Sequence, residues 1–158
     1  MTTNPSTIYD STRKMHLVLS LITALTIVGI YALAGKNGKT LLSDSDGLIY
    51  EFIIPVIAII AIVIGNYLSK RKIKSLDDNS SFADKLLVHK SASLLKWTTV
   101  FGSAILSSVA FYSTGRNNLV LYALMIGVLL IYQRPVKQSV VDDLKLSEEE
   151  AQHLAKSF

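Results

Sequence analysis

The stretch Leu48 to Leu68, LIYEFIIPVIAIIAIVIGNYL, constrains this chain more than any other. It runs for 21 residues, and its only ionisable side chains are Glu51, Tyr50 and Tyr67. About 20 apolar residues, each rising 1.5 Å, cross the roughly 30 Å hydrocarbon layer of a bilayer. Ser69 and the cluster Lys70, Arg71, Lys72 and Lys74 follow at once, as on the cytoplasmic flank of a span. The chain is therefore expected to be an integral membrane protein. Pro55 lies a little over one turn inside the run and is expected to bend the helix near the membrane edge rather than to act as a gating hinge.

Three further apolar runs have the same character. Met15–Ala34 follows Arg13 and Lys14, and its Ala32-Leu33-Ala34 has the form of a cleavage site. The preceding polar leader and the apolar run are both long for a secretory signal, so a retained span is expected. Ser93–Ser113 is the least apolar run, with Lys96 and Trp97 at its start as a snorkelling cation and an interfacial indole. Thr114–Asn118 (TGRNN) predicts a tight turn, which makes the third and fourth runs an antiparallel hairpin. Leu119–Tyr132 is short and needs Asn117 and Gln133 to make a crossing, aided by local thinning. The expected fold is all-α: an up-down four-helix transmembrane bundle with spans at about 15–34, 48–68, 93–113 and 117–133.

The segments between and beyond the spans are polar. Residues 1–12 show no helical pattern and are expected to be a loose tail that closes at Arg13 and Lys14. Gly35–Gly47 is turn-rich. Within the basic connection Ser69–Ala92, a short amphipathic helix over Ser81–His89 is expected to lie along the headgroups. Arg134-Pro135 ends the fourth span and opens an amphipathic tail, residues 134–158. In that tail Ser147 and Glu150 have capping-box spacing, predicting a last helix from about Glu148 to Lys156.

Of the 16 lysines and arginines, all but Lys36, Lys39 and Arg116 fall on the side of the termini in a four-span topology. The excess places both termini in the cytoplasm, for a multi-pass protein of the inner membrane. The net charge of +4 comes from residues that flank the spans. It therefore points to anionic lipid headgroups and not to nucleic acid.

Residue types narrow the chemistry further. With no cysteine, disulfides, thiolate metal sites and cysteine nucleophiles are excluded. There is no phosphate-binding glycine loop, nucleophile elbow or pair of catalytic carboxylates. His16, His89 and His153 lack the spacing of metal or haem ligands, and His16 has no obvious partner. No catalytic, cofactor-binding or metal-binding residue, and no cofactor, is expected. Glu51 is the one carboxylate inside a span boundary. It is a candidate ion site or, near the outer edge, the partner of Lys36, Lys39 or Arg116. Ala58, Ala61 and Gly65, then Thr99, Ser103 and Ser107, then Ala123 and Gly127 repeat at helical spacing and predict close helix packing. In the tail, Val136, Val140, Val141, Leu144 and Leu146 form an apolar stripe that could receive a partner or fold back on the bundle.

Arg134-Pro135 followed by Asp143-Leu144-Lys145-Leu146 resembles a family of short four-span bacterial membrane proteins that end in an Arg-Pro…Asp-Leu-x-Leu tail. The likeness covers roughly Ser91 to Leu154. The resemblance implies the four-span fold and brings no activity with it. Members of that family carry a glutamate-glycine pair in the third span, where this chain has Phe101-Gly102.

The function expected from these features is non-enzymatic: an accessory or scaffolding subunit of a larger membrane complex, partnered by other subunits or by copies of itself. The alternative is a small oligomeric transporter or channel using Glu51 and the third-span hydroxyls. A four-span enzyme acting on lipophilic substrates lacks a nameable catalytic residue, and nothing singles out a holin-like lysis protein.

Overall fold

The computed structural model describes residues 5–37, 44–77 and 80–156. It is all-α, with α1 (Pro5–Asn37), α2 (Asp44–Lys74), α3 (Phe82–Thr114), α4 (Asn117–Tyr132), α5 (Lys137–Leu144) and α6 (Glu148–Lys156). Helices α1, α2 and α3 are long and apolar enough to cross a membrane. At 33, 31 and 33 residues they extend about 46–50 Å, well beyond the hydrocarbon layer. The 16-residue α4 reaches only about 24 Å, and α5 departs from it at 78°. The turn-rich connection expected at Gly35–Gly47 is shorter than that: residues 35–37 close α1, residues 44–47 open α2, and residues 38–43 lie outside the described residues.

Helix α3 is the centre of the bundle. Helices α1, α2 and α4 all pack against it, α4 also touches α1, and α1 and α2 make no extended contact with each other. Accordingly 44% of the apolar stretch of α3 is buried within the chain, against 11% for α1 and 17% for α2. Its serines and threonines do not disturb it. Thr98, Ser103, Ser107, Ser108 and Thr114 each donate to the carbonyl four residues back. This is how a hydroxyl is satisfied inside an apolar helix.

The helix ends follow local rules. Ser81 begins α3 in extended conformation, its Oγ accepting from the Asp84 amide at 3.2 Å. Gly115 ends it with a left-handed φ of 69°, its N–H bonded to Phe111 O at 2.7 Å, within the turn predicted at Thr114–Asn118. Pro135 lacks the N–H that would continue α4, and it disfavours helical backbone at Arg134. α6 runs from Glu148 to Lys156, as the capping box predicts. Ser147 Oγ accepts from the Glu150 amide at 3.3 Å, and Glu150 accepts from the Ser147 amide at 2.9 Å.

Two sequence expectations are corrected. α1 is already helical at Pro5, where a loose tail was expected, because Ile8, Tyr9, Thr12 and His16 form one buried helical face. Ser81–His89 is not a separate helix on the headgroups but the opening of α3. Nothing in Lys90-Ser91-Ala92-Ser93 breaks the helix, and Leu86 and His89 are buried against the chain itself.

These protruding ends build a second core. Ile8, Tyr9, Leu86, Val140, Leu144 and Leu154 cluster there, joined by Ile73, Phe82 and Leu146. Lys85 of α3 binds Glu150 of α6 at 2.9 Å, with both side chains largely enclosed. Burial alone would raise the Glu150 pKa, but the Lys85 ammonium and the Ser147 cap outweigh it and hold the carboxyl below its ordinary value. Because α1 begins here and α5 and α6 pack here, the chain's described ends meet at one end of the bundle, the end rich in lysine and arginine.

Candidate functional site at the basic end of the bundle

Where α4 stops, the Gln133 N–H bonds Leu129 O and Leu130 O at 3.1 Å, and the Arg134 N–H bonds Ile131 O at 3.3 Å. Carbonyls at the end of the helix and just past it take further donors from elsewhere. Three side chains from other helices supply donors. Trp97 Nε1–H of α3 donates to Gln133 O at 3.2 Å, and Tyr9 OH of α1 donates to Pro135 O at 3.2 Å. His16 Nε2 lies 2.9 Å from Leu130 O. A carbonyl only accepts, so this His16 nitrogen carries the proton. The His16 and Trp97 rings meet edge to face with centroids 4.7 Å apart. Together they fix the corner between α4 and α5.

This corrects the expectation for Trp97. It is 2% exposed and packs with Val100 and Leu130, so it is interior and not an indole of the lipid interface. His16, without an obvious partner in the sequence, is buried with one. Nothing in the sequence names a backbone carbonyl as a partner. The usable signal was the Arg134-Pro135 stop, which ends the regular helical ladder and opens nearby carbonyls to outside donors.

Beside this corner lies a polar cavity of about 100 Å³ between the end of α2, the start of α3 and the α4–α5 link. Its cationic lining is Lys70, Lys96 and Arg134, with His89 beside them and Asn66, Ser69, Ser93 and Ser139 adding polar groups. Among the described residues Asp143 is the one carboxylate in the lining, and it faces His89 Nε2 at 3.5 Å. Gln133 also lines the cavity, and its buried Oε1 has no hydrogen-bond partner.

Glu51 lies at the opposite end. Asn118 Nδ2 donates to its Oε1, and Arg116 Nη1 stands 3.9 Å from Oε2. Of the three expected partners, Arg116 is the one placed beside it; the side chains of Lys36 and Lys39 lie outside the described residues. The small residues face the interior. Ala58, Ser103, Ser107 and Ala123 are buried, and Ala61, Thr99 and Gly127 are half-buried. Gly65 sits where a Cβ would come within 2.8 Å of Thr99 Cγ2. Gly127 faces Ile27 Cδ1, which would lie 3.2 Å from an added Cβ. In the tail stripe, Val140 and Leu144 are buried in the second core, with Val141 and Leu146 packed on it, while Val136 is exposed. The inner face of the stripe is thus occupied by the chain's own helices.

No protein-family model, curated protein or solved structure matches the chain.

Proposed function

We propose that this chain is a four-span inner-membrane protein serving, without catalytic activity of its own, as an accessory or scaffolding subunit of a larger membrane assembly. In this reading α4 crosses a locally thinned bilayer, and the basic end, with both termini, faces the cytoplasm. The absence of native cysteine permits a direct test of the topology. In cysteine variants made singly at Ser75, Asn117 and Gln152, an impermeant maleimide added to sealed cells should label only Asn117→Cys. Labelling of Gln152→Cys together with Asn117→Cys would remove the fourth crossing.

The observation that carries the subunit reading is the pair Gly29 on α1 and Gly102 on α3, where an added Cβ meets nothing within 4 Å. Glycine inside a helix costs about 1 kcal/mol relative to alanine. Gly65 and Gly127 are explained by close contacts within the bundle; Gly29 and Gly102 are not. Small residues on an outer membrane face allow another helix to approach closely. Helices α1 and α2 also leave most of their apolar surface outside the bundle.

The test is extraction into polymer nanodiscs from the native membrane, followed by native mass measurement. The wild type should emerge with a stoichiometric partner, another subunit or a second copy. Gly29→Leu combined with Gly102→Leu should lower the recovered partner by about tenfold, a loss of about 1.4 kcal/mol, while thermal stability of the chain itself is retained. A monomeric wild type, or an unchanged complex in the double variant, contradicts the reading.

A further inference from the structure

We infer that the cavity at the basic end is a binding site for the phosphate of an anionic ligand, with an acidic phospholipid headgroup as the occupant that its position favours. This rests on the bundle and its cavity and is independent of the subunit reading. Lys70, Lys96 and Arg134 come from three separate parts of the chain and line a single small space. Asp143 is the one acid among the described lining residues, so against Lys70, Lys96 and Arg134 a net positive charge remains. Lys96 is half-buried and lines the cavity.

The neutral lining suits the same ligand. Ser69 and Ser93 are buried and offer hydroxyls. The buried Gln133 Oε1 is unpartnered, a condition that is costly for a polar atom. Turning that amide over puts its NH₂ in the same place, where it can donate to a phosphate oxygen. A cavity of about 100 Å³ holds the equivalent of roughly three waters, which suits a phosphate group without its glycerol and acyl chains. Those would lie outside, at a depth marked by the exposed rings of Tyr67 and Tyr132, on the two helix ends that border the cavity. Tyrosines so placed mark the headgroup layer. Basic pockets between membrane helices are established recognisers of acidic headgroups.

The full chain would be placed in nanodiscs of phosphatidylcholine with a minor share of phosphatidylglycerol, released into neutral detergent, and weighed by native mass spectrometry. The wild type should retain one phosphatidylglycerol, and Lys96→Gln with Arg134→Gln should lower retention at least tenfold, each cation contributing roughly fivefold. Lys96→Arg with Arg134→Lys keeps the charges and should retain the lipid, which separates binding from folding. Arg71→Gln with Lys72→Gln, outside the cavity, should change retention less than twofold. If delipidated protein is instead protected from heat by inorganic phosphate, and only with Lys96 and Arg134 present, the phosphate site stands and its source is a soluble phosphate compound. Equal retention in the Lys96/Arg134 and Arg71/Lys72 variants, without such protection, overturns the site.

Discussion

Replacing Trp97 by alanine should lower the midpoint of thermal unfolding in mild detergent by roughly 6–12 °C, the shift expected for about 3 kcal/mol in a chain of this length. Its large ring is buried against Val100 and Leu130, so truncation opens a cavity and withdraws the surface on which His16 rests. It also leaves Gln133 O without its donor. Trp97→Phe isolates the last effect: the ring is largely kept, the N–H is lost, and about 1 kcal/mol should go with it. The midpoint can be read from the monodisperse fraction surviving a series of temperatures on size-exclusion chromatography. If Trp97→Ala matches the wild type within a degree, the α4 corner is not held as described.

Gly65→Ala should destabilise the bundle by about 1–3 kcal/mol, although the same change in an open helix stabilises it. The new methyl would overlap Thr99 Oγ1 and approach its Cγ2 at 2.8 Å. Thr99 cannot easily turn away, because its hydroxyl is bonded to Lys96 O at 2.7 Å. Helices α2 and α3 must therefore separate along their most extensive contact. Gly102→Ala supplies the comparison: with open space beside it, that substitution should be neutral or stabilising in the isolated protein. Thr99→Ala should restore part of the loss in a Gly65→Ala background, since it removes Oγ1 and Cγ2 but leaves Cβ 2.9 Å away. Equal effects of the alanines at Gly65 and Gly102 would contradict the close α2–α3 approach.

The parts of this molecule legible in its sequence are those governed by local rules. The long apolar run Leu48–Leu68 announces a membrane helix by length alone, Gly115 announces the turn after α3, and Ser147 with Glu150 announces α6. Illegible were features in which polar residues do interior work. Ile8, Tyr9, Thr12 and His16 share a helical face, but two of the four are polar, so the period is easily missed. Tyr9, His16 and Trp97 bond to backbone carbonyls, which carry no mark in a sequence. Lys70, Lys96 and Arg134 are separated by 26 and 38 positions and each reads as a flanking charge; only the packing of α2, α3 and the α4–α5 link brings them to one cavity.

The central position of α3 has a consequence for biogenesis. Helices are threaded into a bilayer in the order in which the ribosome delivers them, and here the first two to arrive share almost no surface. They must wait until the third comes between them and supplies most of their contacts, with α4 adding to those made by α1. Assembly is therefore late and depends on one helix. A nascent chain halted before Phe82 holds two long helices with little contact between them, and the protein acquires its tertiary structure only with the second half of its synthesis.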